Sequence, residues 1–182
     1  MRLKTEKIVI TGGPSSGKTT LINLLNSKGF NCFEEISRDI ILEARKKGSE
    51  QLFLTHPLLF SELVLKGRQK QFIEAYISNK EIAFFDRGTP DVIAYMDFVK
   101  ETYPDNFNEA CKKTPYDYVF LLRPWKAIYT QDNERYETFE QASKIHSFLV
   151  DSYTKFGYKL IDVPFDTAEN RVNFILNCIK TN

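Results

Sequence analysis

The stretch Gly12-Gly13-Pro14-Ser15-Ser16-Gly17-Lys18-Thr19 constrains this chain more than any other. It matches G-x-x-x-x-G-K-[ST] in full, in the context that pattern requires. The β-branched run Ile8-Val9-Ile10 precedes it, and Lys18 to Ser27 follows with Leu21, Leu24 and Leu25 on one helical face. A glycine-rich turn between a strand and a helix can curl so that successive N–H groups converge on one anion. The helix N-terminus adds a partial positive charge behind them. Lys18 then reaches the β- and γ-phosphates of a nucleotide, and the Thr19 hydroxyl ligates Mg²⁺. Gly12, Gly13, Pro14, Ser15, Ser16, Gly17, Lys18, Thr19 and Thr20 are therefore expected to bind ATP or GTP with magnesium.

Strand-like apolar runs alternate with longer stretches of helical period along the rest of the chain. Further strands are expected at Phe30 to Phe33, Ile82 to Phe85, Tyr118 to Leu122 and Tyr158 to Val163. Helices are expected over Ile36 to Gly48, Leu58 to Ser78, Pro90 to Val99, Asn106 to Lys112, Phe139 to Tyr153 and Ala168 to Ile179. Leu59, Leu63, Phe72, Ile73, Tyr76 and Ile77 form the expected buried stripe of the long helix, with Gly67 as a point of weakness. Ile82 to Phe85 is apolar on both faces, as in a parallel sheet covered by helices. The alternation implies an α/β fold with right-handed crossovers. A length of 182 residues suits a single domain over 1–182.

Composition narrows the partners. The net charge is +1, without the basic excess of a nucleic-acid binder. No apolar run approaches the roughly 20 residues a membrane helix needs. The charged N-terminus leads straight into the first strand, unlike a signal peptide. Three distant cysteines without a C-x-x-C pair, and two histidines, suggest neither disulfides nor a zinc site. A cytoplasmic protein is expected.

Acidic residues stand where the strands end, which is where open α/β sheets bind ligands. Asp86 closes Ile82-Ala83-Phe84-Phe85 and has the form of a carboxylate that holds Mg²⁺. Arg87 beside it could touch the transferred phosphate. Glu34 or Glu35, after the second strand, could accept a proton from an acceptor hydroxyl.

The phosphate loop, Glu34-Glu35-x-x-Arg38, Asp86-Arg87-Gly88-x-x-Asp91 and Asp132-x-Glu134-Arg135 occur in one order. That order resembles a family of small single-domain P-loop ATPases. The family is related to the ribosylnicotinamide kinase domain of the bacterial NAD regulator and, more distantly, to deoxynucleoside and nucleoside-monophosphate kinases. The resemblance covers roughly Lys7 to Ile179. It implies a three-layer fold around a five-stranded parallel sheet of order 2-3-1-4-5, with a lid over residues 123–138. Arg123 and Arg135 match lid arginines that close over the phosphates, and Pro164-Phe165-Asp166 matches the segment lying along the nucleotide base. Arg38, Arg68, Asp91 and Tyr95 flank the acceptor region in the implied fold. The guanine-specific N/T-K-x-D sequence is absent near the fourth strand, where Arg123-Pro124-Trp125 stands, which favours ATP or leaves the choice between ATP and GTP loose. No arginine finger or sensor region of ring-forming ATPases can be assigned. A nucleotidyltransferase domain like that of the NAD regulator is not expected.

The resulting expectation is a kinase that moves the γ-phosphoryl group of ATP to a small nucleoside-like acceptor. A nucleotide-dependent binding module with slow hydrolysis is the alternative, as eukaryotic relatives of the family are associated with GTP and phosphoinositide binding. A nucleic-acid kinase is disfavoured by the near-neutral charge.

Overall fold

The structure is a computed structural model describing residues 4–49, 51–129 and 138–180. At its centre is a five-stranded parallel sheet of order β2-β3-β1-β4-β5, the order implied by the resemblance. The strands are β1 (Glu6–Gly12), β2 (Asn31–Phe33), β3 (Ile82–Asp86), β4 (Tyr118–Leu122) and β5 (Leu160–Asp162). The helices are α1 (Lys18–Ser27), α2 (Ser37–Lys46), α3 (Leu52–Thr55), α4 (Pro57–Ile77), α5 (Pro90–Phe98), α6 (Asn106–Lys113), α7 (Phe139–Lys155) and α8 (Ala168–Lys180). The short α3 lies just before the expected loop at His56-Pro57, and β5 is shorter than the apolar run Tyr158 to Val163 suggests.

The layers follow from the alternation of side chains along β1. Ile8, Val9 and Ile10 are all fully buried, and successive residues of a strand point to opposite faces. Ile8 and Ile10 pack with Leu21 and Leu25 of α1 and Val172 and Ile175 of α8. Val9 packs with Ala75 of α4, Ala94 of α5, and Leu149 and Tyr153 of α7. A further apolar cluster around Phe60, Val64, Met96 and Phe107 ties α4, α5 and α6 together. α7 opens on a capping box, in which Gln141 N–H donates to the Thr138 hydroxyl and Thr138 N–H donates to the Gln141 side chain. Among the described residues no helix is long and apolar enough to cross a membrane.

The stripe expected on α4 is corrected. Leu59, Leu63, Ile73, Tyr76 and Ile77 are exposed, and Phe72 is only partly buried. The buried side is Phe60, Ser61, Val64, Leu65, Arg68 and Ala75. The helix is apolar around most of its girth, so periodicity alone admits two solutions. The adopted one lets Arg68 reach the sheet end while Phe60 and Val64 join the core. α4 also runs unbroken through Gly67, where a Cβ would press on the δ-methyl of Ile36.

Because every strand is parallel, all carboxyl ends lie on one side. Register places Ile10 of β1 beside Asp86 and Gly12 beside Leu122. The glycine-rich loop, Glu34-Glu35 and Asp86-Arg87 therefore converge at one end of the sheet.

Candidate active site

The loop after β1 is shaped by what surrounds it. A Cβ on Gly12 would lie 2.5 Å from the Leu122 carbonyl oxygen, so β4 crowds the loop too closely for a side chain. Gly17 turns into α1 with φ 90°, a left-handed conformation that favours glycine. The Ser16 hydroxyl donates to the Gly13 carbonyl at 2.8 Å. Lys18 is buried, and its Nζ donates to the carbonyls of Gly12 at 2.8 Å and Gly13 at 2.7 Å. Burial, reinforced by the Arg87 guanidinium, brings its pKa down to about 7. Thr19 and Thr20 expose their side chains to the same cleft.

The facing wall is an ionic cluster drawn from four elements. Arg87 follows β3 with φ 76°, an unusual backbone conformation for a residue with a side chain. Three partners hold it there. Its Nε lies 2.5 Å from Glu35 Oε2, its Nη1 lies 3.1 Å from Asp91 Oδ1, and the same Nη1 donates to the Gly12 carbonyl at 3.1 Å. Arg68 reaches in from α4, with Nη2 3.1 Å from Glu35 Oε1 and Nη1 donating to the Gly88 carbonyl. Asp91, in the first turn of α5, accepts from the Thr11 hydroxyl at 2.7 Å, the Tyr153 hydroxyl at 2.5 Å and Gly88 N–H at 2.9 Å.

This pairing sets the charge states. Burial pushes the Glu35 carboxyl up, but Arg68 and Arg87 more than offset it and bring its pKa down to about 2. Burial tends to lower the pKa of Arg87, and Glu35 and Asp91 overcome it, so its charge is reinforced. Asp86 behaves differently: burial raises its carboxyl to about 6, against the pull of Lys18.

Asp86 Oδ1 is buried and accepts no hydrogen bond. An orphaned carboxylate oxygen at a strand end, in a cleft that Thr19 also lines, fits a hard cation. Among the described residues no group of three or more His, Cys, Asp and Glu could hold a metal. The ion would therefore draw further oxygens from phosphate and water, as Mg²⁺ commonly does.

Between the two walls runs a cleft of about 980 Å³. One end is lined by Trp125, Ile128, Asp166, Thr167 and Arg171, the other by Arg38, Ile41, Phe53, Phe60, Val64 and Tyr95. Glu35 lines the cleft, whereas Glu34 is exposed outside the lining and offers its carbonyl to Gln71 at 2.8 Å. Arg38 is exposed on α2 at the acceptor end, and the Tyr95 hydroxyl donates to the Phe53 carbonyl at 3.2 Å. Arg68 and Asp91 are engaged by the ionic cluster. Arg123 is exposed, with its guanidinium 5.0 Å over the Phe165 ring, and neither it nor Pro164 lines the cleft. Arg135 lies outside the described residues, as does the lid from 130 to 137.

Two features escaped the sequence reading. Trp125 stacks on Phe165 with ring centroids 5.1 Å apart and planes 24° apart, giving the cleft an aromatic platform. Its signal was a tryptophan, the chain's only one, just beyond a buried strand. The other is Arg171, a charged residue on the apolar face marked by Ala168, Val172 and Ile175.

The family described as an AAA domain matches residues 7–171. No curated protein matches the chain. Among solved structures, deoxyadenosine kinase from M. mycoides, with dCMP and dCDP bound, superposes with a TM-score of 0.70 at 17% identity, covering 97% of this chain and 100% of that one. NadR protein in complex with NR gives a TM-score of 0.72 at 16% identity over 96% of this chain, which spans half of the NadR chain. Thymidylate kinase from Ehrlichia chaffeensis gives 0.63 at 16% identity, with coverages of 96% and 98%. Identities this low show a shared fold.

Proposed function

The chain belongs to the AAA-domain family, and from that premise and the geometry of the cleft we propose that it is a Mg²⁺-dependent phosphotransferase. It moves the γ-phosphoryl group of ATP, or of GTP, to a hydroxyl or phosphate of a small nucleoside-like acceptor. Glu35 carries this reading. It is a half-buried, ionised carboxylate across the cleft from the phosphate loop, with an acceptor-sized space beyond it. A switch protein needs no such group facing a second pocket. The superposed deoxyadenosine and thymidylate kinases, and NadR with NR bound, support a nucleoside-like acceptor. The cysteines Cys32, Cys111 and Cys178 are free, consistent with a reducing cytoplasm.

The chemistry follows from the residues. The loop N–H groups and Lys18 hold the phosphates in line. Thr19 and Asp86 would hold Mg²⁺, which would supply positive charge to offset that of the phosphates. Glu35 Oε1 already accepts from Ser37 N–H at 3.2 Å and from Arg68. Oε2 takes Arg87 and only a long 3.5 Å contact from Arg68, so it retains acceptor capacity for an incoming hydroxyl. The acceptor oxygen attacks the γ-phosphorus, the bond to the β–γ bridging oxygen breaks, and the acceptor proton passes to Glu35. Its low pKa keeps it ionised without making it a strong base, which suits a loose transition state. Arg68 and Asp91 position Glu35 and Arg87, while Trp125 and Phe165 offer a face to the base. The lid arginines, Arg123 and Arg135, would close over the phosphates and exclude water.

Glu35→Gln tests the assignment. Acceptor-dependent turnover should fall about 100-fold or more, with nucleotide binding and thermal stability measured alongside. Turnover within about twofold of the parent would overturn the role of Glu35.

A further inference from the structure

Arg171 is a buried cation with no opposing charge among the described residues. It lies on α8 with Val172 and Ile175, which enter the core, and is itself only 3% exposed. Its guanidinium lies against the phosphate loop. Nη1 and Nη2 both donate to the Ser16 carbonyl at 3.3 Å, and the Trp125 ring centroid is 5.7 Å away. A Cβ on Gly17 would come within 2.9 Å of Nη1, which places the guanidinium where the loop turns into α1. Arg171 also lines the cleft.

Packing alone leaves most of this guanidinium unexplained. It has five N–H donors, and those it uses converge on one neutral oxygen. Its Nε is buried without any partner. The buried Arg68 and the half-buried Arg87 provide the contrast, since each faces both Glu35 and Asp91. The carboxylate of Asp166 lines the same end of the cleft, but it accepts from Thr167 N–H and the Asn170 side chain. Burial pushes the Arg171 pKa down, and no neighbouring charge counters it. A buried charge held this way is costly unless an anion completes the site.

We propose that Arg171 is a phosphate ligand, meeting a bound nucleoside di- or triphosphate from the α8 side of the loop while Lys18 meets it from within. This rests on the nucleotide-binding reading given above. It adds a residue far along the chain to the loop's own anion site, next to the aromatic platform of Trp125 and Phe165. A guanidinium there favours nucleotides over nucleosides through charge-assisted hydrogen bonds.

The test titrates the parent protein, Arg171→Met and Arg171→Lys with adenosine, ADP and ATP, with the guanosine series in parallel. Trp125, the only tryptophan, reports binding by its fluorescence. Arg171→Met should lose about 10- to 100-fold in ADP and ATP affinity while adenosine changes by less than about twofold. Arg171→Lys keeps the charge but not the fork, and should recover part of the loss. It also carries the test if the methionine variant does not fold, with a loss confined to ADP and ATP as the expected result. An equal loss for adenosine and ATP, or undiminished ATP binding, overturns the proposal and leaves Arg171 as a clamp on Ser16. A parent protein that binds neither ATP nor GTP refutes the nucleotide reading itself, before any variant is compared.

Discussion

Asp86 closes a strand whose other side chains are apolar, and one of its carboxylate oxygens receives no donor. Its conversion to asparagine should weaken Mg²⁺-dependent ATP binding about tenfold or more, with metal-free ATP binding much less affected. Equal losses with and without the metal would reject its role as a metal ligand. A pH dependence belongs to the same residue. Burial raises its pKa to about 6, so between about 4 and about 6 the folded chain keeps a proton that the unfolded chain has released. This contribution to stability is fullest below the ordinary aspartate range and is lost as pH rises through about 6. Thermal unfolding in EDTA, from pH 4 to 7, should show that component in the parent and not in Asp86→Asn; parallel profiles would contradict it. At this scale the phosphate loop was legible because its spacing is itself the mechanism. Glu35 could not be separated from Glu34, since the turn of the backbone after Phe33 decides which carboxylate enters the cleft. Arg171 was hidden by its distance of 155 residues from Ser16, the partner that gives it meaning.

At the scale of elements, helix positions were readable and their buried faces only partly so. α7 was clear because its apolar side is narrow, and Ala142, Leu149 and Tyr153 are buried there as expected. α4 was not, because Leu59 and Leu63 compete with Phe60 and Val64 for the core, and the polar contacts of Arg68 break the tie. The close packing of α5 against α7 makes Gly88 a sensitive position. A Cβ there would lie 2.7 Å from the Tyr153 hydroxyl oxygen and 2.9 Å from Tyr116 Cε2. Neither ring is free to yield, since Tyr153 donates to Asp91 and the Tyr116 hydroxyl accepts from Thr89 N–H. Gly88→Ala should therefore destabilise the protein by about 1–3 kcal/mol, seen as a lower Tm. An unchanged Tm would show that the packing between these helices relaxes easily.

For the whole molecule, alternating strands and helices establish an α/β fold but do not order the sheet. The order 2-3-1-4-5 came from the resemblance, and the strand pairing bears it out. The topology matters because it brings the loop after β1 opposite Glu35 and Asp86, with a cleft that continues past the phosphates. The central claim, phosphoryl transfer to a small acceptor, is best tested by ADP release from ATP and Mg²⁺, with and without a panel of nucleosides, nucleotides and ribosylnicotinamide. The account predicts that at least one acceptor stimulates release and yields a phosphorylated product by mass spectrometry. Slow release unaffected by every acceptor would contradict it and favour a nucleotide-dependent binding module.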